Sequence, residues 1–233
     1  MSRPPPDRLA VAERGWCLRA NGLCARRGIL HGFATVSRLG DGLFWYVLMG
    51  ALVLLDGMAG LRASLHLAAT GAVALALYKL LKRWTRRPRP FASDLRIRAW
   101  VAPLDEFSFP SGHTLHAVAF SLVAMAHYPA LAWLLVPFTA AVAASRVVLG
   151  LHYPSDVLAA TAIGSALAGI SLWLVPGVSL FACGCRECGR DPHPNLSRKR
   201  ERGDGNQVPP LTPPAVCAAA SAGGSPRCRR TRP

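Results

Sequence analysis

A helix needs about twenty consecutive, mostly apolar residues to cross the hydrocarbon core of a bilayer. This chain carries such stretches one after another. The first covers 42–60, with Asp56 an ill-suited member near its end, and the second covers 63–81, broken by His66 and closed by Lys79. A third runs over 112–128, a fourth follows Pro129 over 130–149, and a fifth over 157–175 is ended by Pro176-Gly177. Small residues, Ala140, Ala141, Ala143, Ala144 and Ser145 and then Gly164, Ser165, Ala166 and Gly169, leave room for close helix approach in a membrane. The pattern predicts an all-α integral membrane bundle of five to six transmembrane helices. The sixth candidate is the weak one. Between Asn21 and Arg38, the apolar Leu23, Ile29, Leu30, Phe33 and Val36 alternate with Arg26, Arg27, His31 and Arg38, which reads better as an amphipathic helix lying in the interface than as a span. A soluble bundle of very apolar helices is the alternative.

The charge distribution agrees with the membrane reading. The chain is 52% hydrophobic and still carries a formal charge of +15. Basic residues collect at the N-terminus, between Lys79 and Arg98, and beyond Cys183, at the flanks of the apolar spans. A nucleic-acid-binding protein would be basic without needing so much apolar sequence, so no nucleic-acid partner is expected. The first forty residues lack the apolar core of a signal peptide, and insertion is expected to rest on the internal spans. The reading divides the chain into a basic, amphipathic segment 1–41, a transmembrane domain 42–177 and a disordered tail 178–233 rich in Cys, Arg and Pro. The run Cys183-Gly-Cys185-Arg-Glu-Cys188, with His193 nearby, lacks the second paired half of a zinc site and reads as incidental.

Three short segments at the borders of the spans carry the chemistry. Lys82-Arg-Trp-Thr-Arg-Arg-Pro-Arg89-Pro90 follows the second span, Pro110-Ser111-Gly112-His113 opens the third, and Ser145-Arg146 with His152 and Asp156 lies between the fourth and fifth. Because consecutive helices alternate in direction, the loops after spans two and four emerge on one face, so all three segments can converge. Lys82, Arg89 and Arg146 offer donors that suit phosphoryl oxygens. Ser111 adds a hydroxyl, Gly112 lets backbone approach closely, and a helix starting at Gly112-His113 would point its amides at an anion. Two histidines offer the two tasks of phosphoryl transfer, attack on phosphorus and protonation of the leaving oxygen. Asp156 follows His152 by one helical turn, where a carboxylate can fix the tautomer and orientation of the ring. Taken singly, Arg83, Arg86 and Arg87 read as interfacial charge, His66 and His127 as interfacial residues, and His116 as core packing.

These segments resemble the tripartite signature of the type 2 phosphatidic acid phosphatase superfamily, K-x6-R-P, then P-S-G-H, then S-R-x5-H-x3-D, with every signature position matched. The resemblance covers about Leu43 to Val175. It implies that Lys82, Arg89, Ser111, Gly112, His113 and Arg146 hold the phosphate. It further implies that His152 forms a phosphohistidine, Asp156 assists it, and His113 is the general acid. It implies no metal and no other cofactor. The membrane branch of the family carries six transmembrane helices, against five clear ones here. The tail has no counterpart in the family pattern.

The same signature occurs in soluble acid phosphatases and in vanadium-dependent haloperoxidases, and the spans argue against both. A lipid phosphate or pyrophosphate fits, with its tail in the bilayer and its head among the cations: phosphatidic acid, phosphatidylglycerophosphate or an isoprenyl pyrophosphate. A non-catalytic binder of lipid phosphate is the non-enzymatic alternative, and two histidines plus an orienting carboxylate weigh against it. For orientation, eight basic residues between Lys79 and Arg98 compete with ten in the tail between Arg186 and Arg232. Some of the former are explained by chemistry, so the tail decides. The expectation is a bacterial inner (plasma) membrane protein with its active site on the outer face.

Overall fold

The structure is a computed structural model, and it describes residues 8–175. The regular elements among the described residues are all helical, in the order α1 Arg8–Gly22, α2 Arg27–Arg38, α3 Phe44–Thr85, the short α4 Pro90–Ser93, α5 Gly112–His127, α6 Ala132–Val148 and α7 Pro154–Leu174. The Cys-rich tail lies outside them.

The run α3 is a hairpin. Its backbone leaves the helical region at Asp56 (φ −127°, ψ 15°) and Gly57 (φ 50°, ψ −121°). The Ser64 hydroxyl donates to the Met49 carbonyl at 3.0 Å, although the two are 15 residues apart. A straight helix would separate them by about 22 Å. The turn therefore falls earlier than the sequence spacing implies, and the two arms are 44–55 and 58–85. Its cause is legible locally, because a carboxylate is costly within an apolar helix. Asp56 sits at the turn and accepts a hydrogen bond from the Tyr128 hydroxyl at 2.6 Å.

α5 is the central helix and packs against α3, α6 and α7. It has no solvent stripe: Thr114, Leu115, Ala117, Val118, Ala119, Ser121, Val123 and Ala124 are all buried, as expected of a helix enclosed on every side. Around it a core forms from Trp45, Leu48 and Leu52 of the first arm, Ala63 and Leu67 of the second, Leu135 and Val142 of α6, and Ala168 of α7. The outer surface is apolar instead, with Leu54, Leu55, Trp133 and Trp173 exposed. Three helical runs, 27–93 with the hairpin inside it, Pro129–Val148 and Pro154–Leu174, are long and apolar enough to cross a membrane.

The N-terminal segment is more structured than its sequence indicates. α2 is the amphipathic stretch, and it packs along α6, with Leu30 and Phe33 against Cys24, Val148, Leu149 and Leu151. α1 was not expected as a helix. Its buried side chains are Glu13, Cys17 and Asn21, one per turn, and they form a polar ridge where an apolar stripe would have announced a helix.

Candidate active site

The C-terminal ends of α3 and α6 and the N-terminal ends of α5 and α7 lie at one end of the bundle, joined by the segments 86–111 and 149–153. All eight residues expected at the site come from these ends.

Lys82 occupies the last turn of α3. It is 5% exposed, and its Nζ donates to Asp105 Oδ1 at 2.5 Å and to the Phe107 carbonyl at 3.1 Å. Arg89 is equally buried. Its Nη2 donates to the same Asp105 Oδ1 at 2.7 Å, Nε to the Asp105 carbonyl at 3.1 Å, and Nη1 to the Leu151 carbonyl at 2.9 Å. Asp105 thus links the two cations. Burial alone would raise its carboxyl, but Lys82 and Arg89 outweigh that and hold it below the ordinary carboxylate range. Arg146, at the end of α6, donates from Nη1 to the Ser37 hydroxyl of α2 at 2.5 Å, while its buried Nε has no partner.

Ser111 is the N-cap residue of α5 and is fully buried, its hydroxyl paired with Thr114 at 3.0 Å. Gly112 begins the helix against the Tyr78 ring, and His113 of the first turn meets the Asp41 carboxylate through Nε2. His116 packs edge-on between Tyr78 and Phe120.

His152 is reached through a tight reversal after α6, where Gly150 takes φ +76°. Its Nδ1 lies 2.6 Å from the Ser108 carbonyl. A carbonyl only accepts, so the ring proton is on Nδ1, and Nε2 keeps its lone pair. Arg89 Nη1 stands 3.4 Å from that Nε2. Asp156, expected to orient the ring, has its Oδ2 3.8 Å from Nδ1, near enough for charge but too far for a hydrogen bond. Ser108 joins the two, accepting from His152 on its carbonyl and donating to Asp156 Oδ2 from its hydroxyl. Burial, with Arg146 and Arg89 nearby, pushes His152 down to about 3 despite Asp156, so the imidazole is neutral over the physiological range.

Arg87 is likewise not free interfacial charge. Its Nη1 donates to Asp156 Oδ1 and to the Ser155 hydroxyl, each at 2.7 Å, and Nη2 to Glu13 Oε2 at 2.6 Å. His66 and His127 pair with each other, with Nδ1 of His66 3.0 Å from Nε2 of His127, and the Ser171 hydroxyl lies 2.6 Å from Nε2 of His66. Arg83 and Arg86 are exposed. Asp41, Asp105, Ser108 and Glu13 were not anticipated. Only Ser108 had a sequence cue, its closeness to Pro110-Ser111-Gly112-His113.

A cavity of about 790 Å³ opens on this constellation. Lys82, Arg89, Arg146, His113 and His152 line its polar part. Trp45, Met49, Ala68, Leu75 and Phe120 line an apolar extension between the arms of α3 and α5. A neutral imidazole whose Nε2 lone pair meets Arg89 Nη1, in a cavity lined by three cations, can attack an electrophilic phosphorus, and the apolar extension can take an acyl or prenyl chain.

Known proteins resemble this chain in sequence and fold. Residues 63–179 match the family model described as the PAP2 superfamily. The chain is 35% identical over 138 residues to the decaprenylphosphoryl-5-phosphoribose phosphatase of Mycolicibacterium smegmatis, covering 58% of this chain and 73% of that one. It is 36% identical over 77 residues to phosphatidylglycerophosphatase B of Escherichia coli, covering 29% of each. Among solved structures it resembles the transmembrane PAP2 type phosphatidylglycerolphosphate phosphatase of Bacillus subtilis, with TM-score 0.60 and 21% identity over 73% of this chain and 87% of that one. The matched segment holds every residue of the signature, from Lys82 through Asp156, and the chain belongs to the PAP2 superfamily.

Proposed function

We propose that the protein is an integral membrane phosphatase that hydrolyses a lipid phosphate or pyrophosphate through a phosphohistidine on His152. The observation that carries this reading is the tautomer of His152. With Nδ1–H held by the Ser108 carbonyl, Nε2 is the nucleophilic nitrogen, and it lies beside Arg89 on the cavity.

In this reading Lys82, Arg89 and Arg146, with Ser111 and the amides of Gly112 and His113, hold the phosphoryl oxygens. Nε2 of His152 attacks phosphorus in line, and the bond to the lipid oxygen breaks. His113 gives that oxygen its proton. The ring is then cationic, and the Asp156 carboxylate at 3.8 Å favours that charge. Water attacks the phosphohistidine with His113 now taking the proton. Phosphate leaves and Nε2 regains its lone pair. No metal enters the scheme, since three cations supply the charge that a metal would.

The apolar extension of the cavity supports a lipid as the group attached to phosphate. Phosphatidic acid, phosphatidylglycerophosphate and isoprenyl pyrophosphates are the candidates. The domain bounds are those of the sequence reading, with 42–177 catalytic. Five to six helices cross the membrane in this reading, among them the arms of α3 and then α5, α6 and α7. The site faces the outside of a bacterial inner membrane.

The test is a panel of these lipids assayed in detergent with a chelator present. Phosphate release by the wild-type chain and none by His152→Ala is expected. Activity retained by His152→Ala would overturn the mechanism. A reporter fused at the C-terminus tests the orientation.

A further inference from the structure

Asp156 is fully buried, and a carboxylate in that position needs compensating charge. The compensation comes from Arg87. One guanidinium nitrogen serves Asp156 Oδ1 and the Ser155 hydroxyl, and the other serves Glu13 on α1. The guanidinium also lies over the Tyr153 ring, 4.3 Å from its centroid. Glu13, itself 3% exposed, accepts from the Ser155 backbone N–H at 3.0 Å with its second oxygen. That amide is one of the donors that the start of α7 leaves without a helical partner.

The same face of α1 makes further contacts of this kind. Cys17, one turn on, directs its thiol to the His152 carbonyl at 3.9 Å. Asn21, another turn on, donates to the carbonyls of Arg98 (2.9 Å) and Val148 (3.1 Å) and accepts from the Arg98 amide at 3.0 Å. Every buried side chain of α1 therefore ends on the stretch 87–98, which begins in the first signature segment and runs past it, or on the stretch 148–155 within the third. α1 itself lies outside the residues that match the family model.

We infer that Arg87 and Glu13 are positioning residues for the His152–Asp156 pair, and that α1 is a working part of the active site. This rests on the catalytic reading given above. Arg87 holds Asp156 ionised and at its distance from the ring, and Glu13 holds Arg87 and the first turn of α7 in register. Neither residue lines the cavity, so both act through others.

The experiment compares Arg87→Gln, Arg87→Lys and Glu13→Gln in the full chain in detergent, reading kcat, KM, the pH profile of kcat, and amide hydrogen exchange over 149–157. Loss of a charged hydrogen bond to a buried carboxylate should lower kcat of Arg87→Gln about a hundredfold, with KM changed less than about threefold. The groups facing Asp156 are Arg87, His152 and, from α1, Glu13 and Cys17. With the guanidinium gone, the carboxyl takes a proton more readily, so the acid limb of kcat should move to higher pH in Arg87→Gln and move back in Arg87→Lys. Glu13→Gln keeps an oxygen for Ser155 N–H, so it should fold, lose a smaller share of kcat and leave the acid limb unmoved. Exchange of the 149–157 amides should quicken in Arg87→Gln and Glu13→Gln alike. A rise in KM at constant kcat would make Arg87 a substrate contact and overturn the inference, as would unchanged exchange. The exchange readout needs no turnover. If the wild-type chain released no phosphate while exchange still responded, the catalytic reading would fail and the brace would stand.

Discussion

Replacing Asp156 by Asn isolates what the carboxylate contributes to His152, because the ring has a second, independent anchor. In the proposed mechanism, phosphoryl transfer to Nε2 makes the imidazole cationic, and Asp156 Oδ2 lies 3.8 Å from Nδ1. At an effective dielectric near 20, one charge pair at that separation is worth about 4 kcal/mol, or roughly a thousandfold in rate. That is a ceiling, because Arg87 shares the carboxylate at 2.7 Å. About half the ceiling survives if the two partners divide it evenly, so kcat should fall between about thirtyfold and a thousandfold. KM should stay nearly constant, since Asp156 does not line the cavity. The Ser108 carbonyl still holds Nδ1–H, so the variant should remain measurably more active than His152→Ala. The assay is release of inorganic phosphate from a lipid phosphate in detergent, with a thermal melt run alongside. The melt is needed because an amide NH2 at position 156 faces donors from Tyr153, Ser108 and Arg87. A kcat loss under tenfold, or one as deep as that of His152→Ala, would refute the division of labour between carbonyl and carboxylate.

Other outcomes follow from the same geometry. Gly150→Ala places a Cβ at φ +76°, 2.6 Å from the Arg98 carbonyl oxygen. It should lower both the melting temperature and kcat, by about 1–3 kcal/mol in stability, and an unchanged melt would contradict the turn described here. Asp105→Asn removes the anion that links Lys82 and Arg89. Inhibition by orthophosphate or vanadate should then strengthen about tenfold, whereas weaker inhibition would mean that Asp105 orients the cations for substrate. His152 titrates near 3 when folded and near 6.5 when unfolded. Its contribution to stability is therefore complete above pH 6.5 and is lost as pH falls towards 3. Melting in detergent should drop progressively below pH 6.5, and His152→Gln should flatten that dependence.

The bundle and the convergence of the three segments were legible because they depend on hydropathy, helix length and alternating direction, all of which are local properties. The supporting residues were not, because their partners come from distant parts of the chain. Arg87 looks like Arg83 and Arg86 until folding brings Glu13 and Asp156 to it. Ser108 offers its carbonyl to His152, and a backbone group leaves no trace in residue type. α1 was hidden because the side that it buries is Glu13, Cys17 and Asn21 and not an apolar stripe. Asp56 was noticed as out of place, and its role as the turn follows from the same discomfort, with Gly57 beside it to take φ 50°.

The hairpin also works as a ruler. From its turn at Asp56–Gly57 to Lys82 the second arm rises roughly 37 Å, somewhat more than the ~30 Å of a hydrocarbon core. In the proposed membrane arrangement, a turn at one surface would put the ammonium at the other, at headgroup level. An extra residue anywhere in 58–81 would lift Lys82 by about 1.5 Å and swing it by about 100° around the helix axis, out of line with Asp105 and Arg89, while a deletion nearby would bring it back. The length of this arm is therefore a tolerance shared by two systems, the thickness of the bilayer and the aim of a single charge.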